Sequence, residues 1–329
     1  MRPFTDNTPE PALARASIVI PVYNRERMLA DCLNSLQPAL MAGAEVIVVD
    51  DGSTDGSREA AARFRDGLAP NLAARMQLVA QENGGPGAAR NTGVASSTRD
   101  WIVFVDSDDL WLPWSAETLG DTLAAAGDAV AVFFSTRGFS GTVPGWIRTA
   151  PRTSSHPGFF PMRDQMNGLI GSGYFAIRRA TFDRLGGFLP KILGGEDTDL
   201  FYRLDGQGKV VAIHEPVMVA AREDNADSLT KSMKAVAQGL ALLLKRQRAG
   251  SYPSPAARPA LADALQFWLR SLCNEGYGRT AFTLLAQGGL GVLLAEGRYS
   301  AVAKLLLHPA LSLIRPANYK FGWGPRLVS

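Results

Sequence analysis

The chain has 329 residues, of which 46% are hydrophobic and 20% charged, and its formal net charge is +3. This length suits one large domain or a domain with an appendage, while the composition excludes wholesale disorder and the small charge gives no indication of nucleic-acid binding. Two cysteines exclude a disulfide framework, and three histidines exclude a histidine-rich metal site.

Short apolar runs alternate with amphipathic segments in the first third of the chain. Runs rich in Ile, Val and Phe predict buried strands, and segments with apolar residues three or four positions apart predict helices. The predicted strands are 17–22, 45–49, 76–80, 101–105 and 129–134, and the predicted helices are 27–36, 55–64, 87–95 and 115–126. This alternation indicates βαβ units and a mainly parallel sheet, which binds ligands at the carboxyl ends of its strands.

The middle third is irregular, and the last third is helical. Residues 137–162 are rich in Gly, Pro, Ser and Thr and predict loops, followed by strands at 173–177 and 210–213 and helices at 180–185 and 196–204. Four helical segments then follow, at 233–248, 259–273, 280–294 and 300–313. We therefore predict a tail over residues 1–15, an α/β domain over 16–230 and a helical region over 231–329.

Two acidic motifs follow predicted buried strands. The first, VVDDGSTDGS, places Asp50 and Asp51 before a turn at Gly52. These carboxylates could bind a base or a ribose, but a simple strand-ending turn is the better explanation of this motif when it is taken alone. The second, FVDSDD, crowds Asp106, Asp108 and Asp109, which favours a hard cation such as Mg²⁺ or Mn²⁺. A solvated acidic turn is its alternative.

Two glycine-containing motifs precede predicted helices. The first is ENGGPGAARNTGV, in which backbone N–H groups and Arg90 could bind a phosphate, although it lacks the dinucleotide fingerprint. A plain loop before a helix explains its glycines when they are taken alone. The second is GGEDTDLFYRL, in which acids occupy the first turn of a helix. The helix dipole alone explains acids at that position, whereas a general base at a glycine hinge is the functional alternative.

Taken together, these motifs resemble the family 2 glycosyltransferases, which have the GT-A fold. The resemblance runs from IVIPVYNR at residues 18–25 through the four motifs to GGEDTDL, and it covers roughly residues 15–230. It implies a Rossmann-like, mainly parallel α/β sheet flanked by helices, with the C-terminal helical subdomain outside the family pattern. It also implies an inverting enzyme. Because the QxxRW motif of processive relatives is missing, we expect non-processive transfer of one sugar.

The resemblance also assigns roles to individual residues. It implies that Asp197 is the catalytic base with Glu196 as its neighbour, and that Asp108 and Asp106 bind Mn²⁺ or Mg²⁺. It places Gly171, Ser172 and Gly173 near the donor sugar and the acceptor. The residues implied to bind the nucleotide sugar are Pro21, Val22, Tyr23, Asp50, Asp51, Asn83, Arg90, Asp106 and Ser107.

One position departs from the family pattern. Many members carry an Arg-x-His near the end of the catalytic domain, and that His can contact diphosphate or metal. Here Arg222 is followed by Glu223 and Asp224, so Asp224 stands at the position of the His. His214 lies earlier and is expected to be structural. The handling of the diphosphate in this region therefore stays open.

The expected partners are a nucleotide-sugar donor, with a UDP-sugar favoured, and a glycan or lipid-linked acceptor in cell-surface glycan assembly. The N-terminal segment is no signal peptide, and no run of about 18 apolar residues predicts a membrane span, so we expect a cytoplasmic protein. We expect the C-terminal helices to pack on the catalytic domain. Their alternative role is peripheral attachment to the inner membrane face through residues 305–314 and nearby Lys304, Arg315 and Lys320.

Two other functions compete with transfer. A catalytically degenerate binding protein of the same fold would keep the nucleotide or sugar site without the chemistry. The presence of Asp106, Asp108 and Asp197 argues against it, whereas Asp224 favours it slightly. A nucleotidyltransferase would require a basic, glycine-rich triphosphate loop near the N-terminus, and residues 18–25 do not form one.

Overall fold

A computed structural model describes residues 11–141, 152–157, 173–190, 192, 194–223 and 232–312. Its main feature is an eight-stranded sheet. The strands are β1 Ala16–Val22, β2 Glu45–Asp50, β3 Met76–Ala80, β4 Trp101–Phe104, β6 Ala131–Phe134, β8 Arg152–Pro157, β9 Phe175–Arg178 and β10 Lys209–Glu215. They lie in the order β3-β2-β1-β4-β9-β6-β10-β8. Strands β5 Leu110–Trp111, β11 Val219–Arg222 and β7 Thr136–Phe139 form a second sheet in the order β5-β11-β7.

The first half of the large sheet is parallel. Strand β1 pairs in parallel with β2 and β4, and β2 pairs in parallel with β3, so the carboxyl ends of these four strands share one edge. Strand β9 then runs antiparallel to both β4 and β6, and β10 runs parallel to β6. The mainly parallel sheet confirms the predicted α/β class.

Helices cover both faces of the sheet. They are α1 Glu26–Ser35, α2 Gln37–Met41, α3 Ser57–Asp66, α4 Pro70–Ala73, α5 Pro86–Ser96, α6 Ser115–Ala125, α7 Arg179–Leu185 and α8 Glu196–Leu204. Because side chains alternate along a strand, Ile18 and Ile20 pack into one core with Leu33 of α1, whereas Val19 packs into the other with Val94 of α5. Leu13, inside the predicted tail, is also fully buried.

The C-terminal helices form a core of their own. They are α9 Met233–Arg248, α10 Ala257–Asn274, α11 Gly278–Leu284, α12 Leu290–Ala295 and α13 Tyr299–Ser312. The prediction of one continuous helix over 280–294 was wrong, because a π-helical turn at Leu285–Gly289 contains Gly288 at φ 114° and separates α11 from α12. None of the helices in the described parts of the chain is long and apolar enough to span a membrane.

Candidate active site

The sequence motifs converge at the edge where β1, β2 and β4 end. Asp51 follows β2, and Asp106 lies two residues after β4. Helix α8 begins beside them at Glu196, after a glycine turn in which Gly195 adopts the left-handed conformation with φ 81°. The four motifs therefore meet at one edge of the sheet, as the rule for parallel sheets predicts.

Arg90 connects two of the acidic motifs. Its side chain is buried in α5, and Nη2 donates to Oδ1 of Asp106 at 2.7 Å while Nη1 donates to Oε1 of Glu196 at 3.1 Å. Burial alone would lower the pKa of Arg90, but the charges of Asp106 and Glu196 raise it. Arg90 thus stays a cation and fixes the two carboxylates relative to each other.

The predicted base lies beside this ion-pair network. Asp197 is half-buried, and its Oδ1 accepts the Thr198 N–H at 2.6 Å. Burial first, and then the charge of Asp197, raise the pKa of Glu196, while Arg90 opposes this increase. The raised pKa indicates that the two neighbouring carboxylates interact. Asp197 therefore combines an accessible carboxylate with a closely held acidic neighbour.

Asp51 binds the glycine loop. Its Oδ1 accepts from Gln81 Nε2 at 2.7 Å and from Gly84 N–H at 2.8 Å, and its Oδ2 accepts from Gly85 N–H at 2.9 Å. The carboxylate is almost fully buried, so these donors replace the water that it would otherwise bind. Asp51 thus orders the loop that leads into α5, and a direct contact with base or ribose stays a prediction.

The other predicted nucleotide residues surround this loop. Tyr23 is 46% exposed at the end of β1 and can offer its ring to a base. Val22 is buried and accepts the Asp51 N–H through its carbonyl, and Asp50 accepts the Ser53 N–H at 3.0 Å. The remaining members of the predicted set are half-buried Pro21, exposed Asn83 and buried Ser107.

The turn over residues 106–109 concentrates negative charge. Asp109 is buried and accepts the Arg222 N–H at 2.9 Å. Burial first, and then the charges of Asp106 and Asp108, raise the pKa of Asp109. Burial and the same acidic cluster also raise the pKa values of Cys32 and Tyr174. The acidic side chains thus add to the effect of burial on the pKa of each group, and a bound cation would oppose their contribution.

The donor atoms of this turn fit a hard cation only with help from a ligand. In the part of the chain that the structure describes, no group of three or more His, Cys, Asp or Glu side chains is arranged to hold a metal ion. Mg²⁺ in proteins commonly takes one or two carboxylates together with substrate phosphates and water. Asp106 and half-buried Asp108 supply carboxylate oxygens of that type, with the remaining positions left to a diphosphate.

Gly173 lies directly against this turn. A Cβ atom built at Gly173 would lie 2.9 Å from Cγ of Asp106, so only glycine fits without a shift of that acid. This contact places Gly173 at the acidic site. Gly171 and Ser172, which the resemblance places near sugar and acceptor, lie outside the described residues, and so does Asp224.

Three further polar residues approach the site, and sequence analysis assigned no role to two of them. Arg25 Nε lies 4.0 Å from Oδ2 of Asp108, and Gln81 binds Asp51. Arg222 donates from Nε to the carbonyl of Asp108 at 3.4 Å. The resemblance indicated Arg222 only as the start of the family's Arg-x-His pattern. The motif IPVYNR contained Arg25, but nothing in the local pattern indicated which acid it would face. His214, expected to be structural, lies 2.8 Å from Ser154 Oγ through Nε2.

Comparison with family models gives one match in the region of these motifs. Residues 17–186, just over half of the chain, match the model described as glycosyl transferase family 2. Among characterised sequences, glycosyltransferase GlyA of Streptococcus pneumoniae is 39% identical over 98 residues. Poly(ribitol-phosphate) beta-N-acetylglucosaminyltransferase TarS of Staphylococcus aureus is 35% identical over 114 residues. The aligned segments cover 30% and 34% of this chain but only 13% and 19% of those proteins.

Solved structures share the fold over most of the chain. TarS of S. aureus in complex with UDP-GlcNAc matches with a TM-score of 0.53 and 17% identity, covering 87% of this chain and 91% of that one. Mannosyltransferase PcManGT from Pyrobaculum calidifontis, in complex with GDP-Man and Mn²⁺, matches with a TM-score of 0.55 and 24% identity. That match covers 91% of this chain and 80% of PcManGT. At these identities the likeness shows the GT-A fold.

Proposed function

The chain belongs to glycosyl transferase family 2, and we propose that it transfers one sugar from a nucleotide-diphosphate sugar to an acceptor hydroxyl. The observation that carries this proposal is the arrangement around Arg90, which brings the acidic turn at Asp106 and the first turn of α8 to one place. A donor diphosphate and a general base are needed at the same reacting carbon. The ion-pair network holds their two sites together.

In this proposal Asp197 is the general base. It accepts the proton of the acceptor hydroxyl while that oxygen forms a bond to the anomeric carbon. The bond from that carbon to the diphosphate oxygen breaks, and the nucleoside diphosphate leaves with the electron pair. Because a single displacement takes place on the face opposite the leaving group, the anomeric configuration is inverted. Glu196 and Arg90 keep the helix start of Asp197 in position.

We propose that the donor nucleotide lies over the loops that follow β1 and β2. Exposed Tyr23 would stack on the base, with Pro21 and Val22 beneath it, while Asp50, Asp51 and Asn83 would face the base and ribose. A UDP-sugar is the favoured donor, since the related TarS is seen with UDP-GlcNAc. PcManGT is seen with GDP-Man, so the binding test that identifies the nucleobase includes GDP as well as UDP.

We propose that Asp108 and Asp106 hold Mn²⁺ or Mg²⁺ together with the donor diphosphate. A divalent cation at this turn would supply positive charge to the leaving diphosphate. The crowding of Asp106, Asp108 and buried Asp109 in one turn supports the proposal, as does the oxygen-only donor set. Ser107, between the two acids, and nearby Gly173 are proposed to face the donor.

The acceptor and the location are also proposals. A glycan or lipid-linked acceptor at the inner membrane face would suit a cytoplasmic enzyme that attaches peripherally. Leu305, at the start of the segment predicted for attachment, is buried in the helical core, but Tyr299, Leu306 and Leu307 form an exposed stripe on α13. Residues 297–329 contain five Lys or Arg and no Asp or Glu, which favours an anionic lipid surface as the partner of this stripe.

Leu306→Glu with Leu307→Glu should reduce sedimentation with anionic vesicles, and unchanged sedimentation would refute this attachment.

The proposed function is tested first by ligand-induced stabilisation. UDP, GDP, dTDP and CMP are each added with Mn²⁺ or with EDTA, and the melting temperature is measured. A ligand at about 100 times its Kd stabilises by roughly 2.7 kcal/mol, which is a measurable shift. We expect a shift with one nucleoside diphosphate, in Mn²⁺ only. A shift with none of them would overturn the donor site.

Transfer is tested separately from binding. The sugar nucleotide that corresponds to the stabilising nucleoside diphosphate is incubated with glycan acceptors and with wild type or Asp197→Asn, and release of the nucleoside diphosphate is measured. We expect turnover only in the wild type, with the same ligand-induced shift in both. Binding without turnover in the wild type would instead identify a degenerate binding protein. Release of pyrophosphate from a nucleoside triphosphate and a sugar 1-phosphate would identify a nucleotidyltransferase.

A further inference from the structure

The helix that carries Asp197 is held by the C-terminal helical region through a buried carboxylate. Asp199 is fully buried in the first turn of α8. Its Oδ1 lies 2.5 Å from Nε of Arg246 on α9 and accepts a 2.9 Å hydrogen bond from the Tyr252 hydroxyl. Its Oδ2 pairs with Arg203, one turn further along α8, at 2.7 Å. Two partners of Asp199 therefore come from beyond residue 231.

The glycine turn before α8 is held by the same helix. A Cβ atom at Gly239 of α9 would lie 2.7 Å from the Gly194 carbonyl oxygen, and one at Gly195 would lie 3.0 Å from Gly239 Cα. A Cβ at Gly194 would lie 2.9 Å from the Ala235 carbonyl oxygen. Backbone thus packs directly on backbone, an approach that side chains at these positions would prevent.

Helix α8 also joins two hydrophobic cores. Leu200 and Phe201 belong to the core beneath the sheet, whereas Tyr202 packs with Leu240 in the core of the C-terminal helices. The rings of Tyr202 and Tyr252 meet edge to face, with centroids 5.1 Å apart. The helical region is therefore continuous with the packing of α8.

We propose that α9 and Tyr252 act as a brace that positions Asp197, and this rests on the proposed role of Asp197 as the base. The brace contacts the chain on both sides of Asp197, at Gly194 and Gly195 before it and at Asp199 after it. A base must keep hydrogen-bond distance to the acceptor hydroxyl, and a displacement of about 1 Å can cost about a hundredfold in rate. The C-terminal helices thus contribute positioning residues to the proposed catalytic site.

Charge explains why Asp199 has two arginine partners. An ionised Asp199 with no exposure is costly unless hydrogen bonds and opposite charges compensate for the lost water. Arg203 belongs to the same helix and donates to the carbonyls of Leu185 and Gly187, so it ties Asp199 to the α/β domain and not to the C-terminal helices. Arg246 and Tyr252 belong to the C-terminal region. Their contacts with Asp199 therefore also fix α8 relative to that region.

The test separates position from folding and from donor binding. Gly239→Ala forces the Gly194 backbone away, while Gly291→Ala on α12 is the matched control because a Cβ there meets no atom within 4 Å. For each variant kcat and KM for release of nucleoside diphosphate are measured with the donor that wild type turns over, together with the Kd for that nucleoside diphosphate. We expect kcat of Gly239→Ala to fall about tenfold or more, with Kd within about twofold of wild type.

Two further variants test the brace without adding an atom to the close contact between α9 and the glycine turn. Arg246→Met removes the anchor but leaves the pair of Asp199 and Arg203, and Tyr252→Phe removes one hydrogen bond. We expect kcat to fall in both, less in Tyr252→Phe, and to recover in part in Arg246→Lys. Amide hydrogen exchange over residues 194–204 should rise in the same variants, which needs no turnover.

The outcomes distinguish the two proposals. If Asp197→Asn turns over donor as fast as wild type, Asp197 is not the general base, and the proposal that the brace positions it is wrong as well. If Asp197→Asn is inactive but Gly239→Ala and Arg246→Met keep the wild-type kcat, the brace alone is wrong. Equal losses of donor affinity and kcat, or a loss in Gly291→Ala, would show general destabilisation and would also overturn the brace.

Discussion

Arg90 donates a 2.7 Å hydrogen bond to Asp106, which joins a helix of the glycine motif to the acidic turn after β4. The same guanidinium binds Glu196. The sequence motifs around these residues lie far apart in the chain, and this buried cation is what brings their charges together. Its position makes Arg90 part of the support of the site, and the contact with phosphate that the glycine motif suggested stays a prediction.

Replacing Arg90 by methionine should destabilise the fold strongly. The change leaves two carboxylates without the buried cation that compensates them, and breaking a buried pair in this way costs about 3–5 kcal/mol. Urea unfolding at pH 7 measures this loss. The matched control is Arg58→Met, at an exposed position on α3, which should change the free energy of unfolding by less than about 0.5 kcal/mol. Similar losses in both variants would contradict the bridging role.

Gly173→Ala should weaken the response to the donor nucleotide. The added Cβ would lie 2.9 Å from Asp106 Cγ, so either the acid or the strand start must move. We expect a loss of at least about half of the Mn²⁺-dependent thermal shift given by the stabilising nucleoside diphosphate. Gly278→Ala, where a Cβ would meet no atom within 4 Å, should keep the full shift. An undiminished shift in Gly173→Ala would remove this glycine from the site.

Asp108→Asn should abolish the difference between Mn²⁺ and EDTA. The amide keeps the shape of the side chain but removes the charge that a hard cation prefers. Thermal shifts with the nucleoside diphosphate should then be equally small in both conditions. Asp121→Asn, at an exposed position on α6, provides the control and should retain the metal effect. A metal effect of wild-type size in Asp108→Asn would assign the cation to other residues.

Asp55 should make the free energy of unfolding depend on pH in the acid range. Burial alone would raise its pKa, but hydrogen bonds from the Ser57 hydroxyl and from the N–H groups of Glu26 and Ser57 lower it below 3.8. A carboxyl whose folded pKa is lowered stabilises the fold above its unfolded pKa, and this contribution is lost as the pH falls through the folded value. The difference in unfolding free energy between wild type and Asp55→Asn should therefore shrink below about pH 4. A difference that is constant from pH 7 to pH 3 would contradict this role.

Asp197→Asn should lower kcat for nucleoside-diphosphate release by about a hundredfold or more while the nucleotide still binds. The amide cannot accept the proton of the acceptor, and general base catalysis typically contributes a factor of about 10² to 10⁴. Steady-state kinetics and calorimetric binding of the nucleoside diphosphate measure the two effects. Asp128→Asn, at an exposed position before β6, serves as the control.

The elements close to the site could be predicted because their signals are local. Strand β3 has the predicted bounds, and α8 begins and ends at the predicted residues, since an apolar run or a glycine turn followed by acids fixes each one. The break between α11 and α12 was missed because Gly288 lies in an apolar, helix-like stretch. The sequence of the glycine motif likewise showed Arg90 but not its partners.

The sequence by itself determined the α/β class, the order of strands and motifs along the chain, and the residue types available for chemistry. These features depend on hydrophobic periodicity and turn residues, which act over a few positions. Only the tertiary structure decided that Arg90 faces Asp106 and Glu196, that Gly173 touches Asp106, and that Asp199 binds Arg246. These contacts join residues up to 106 positions apart. Their geometry depends on how the sheet, α8 and the C-terminal helices pack, and no local pattern encodes it.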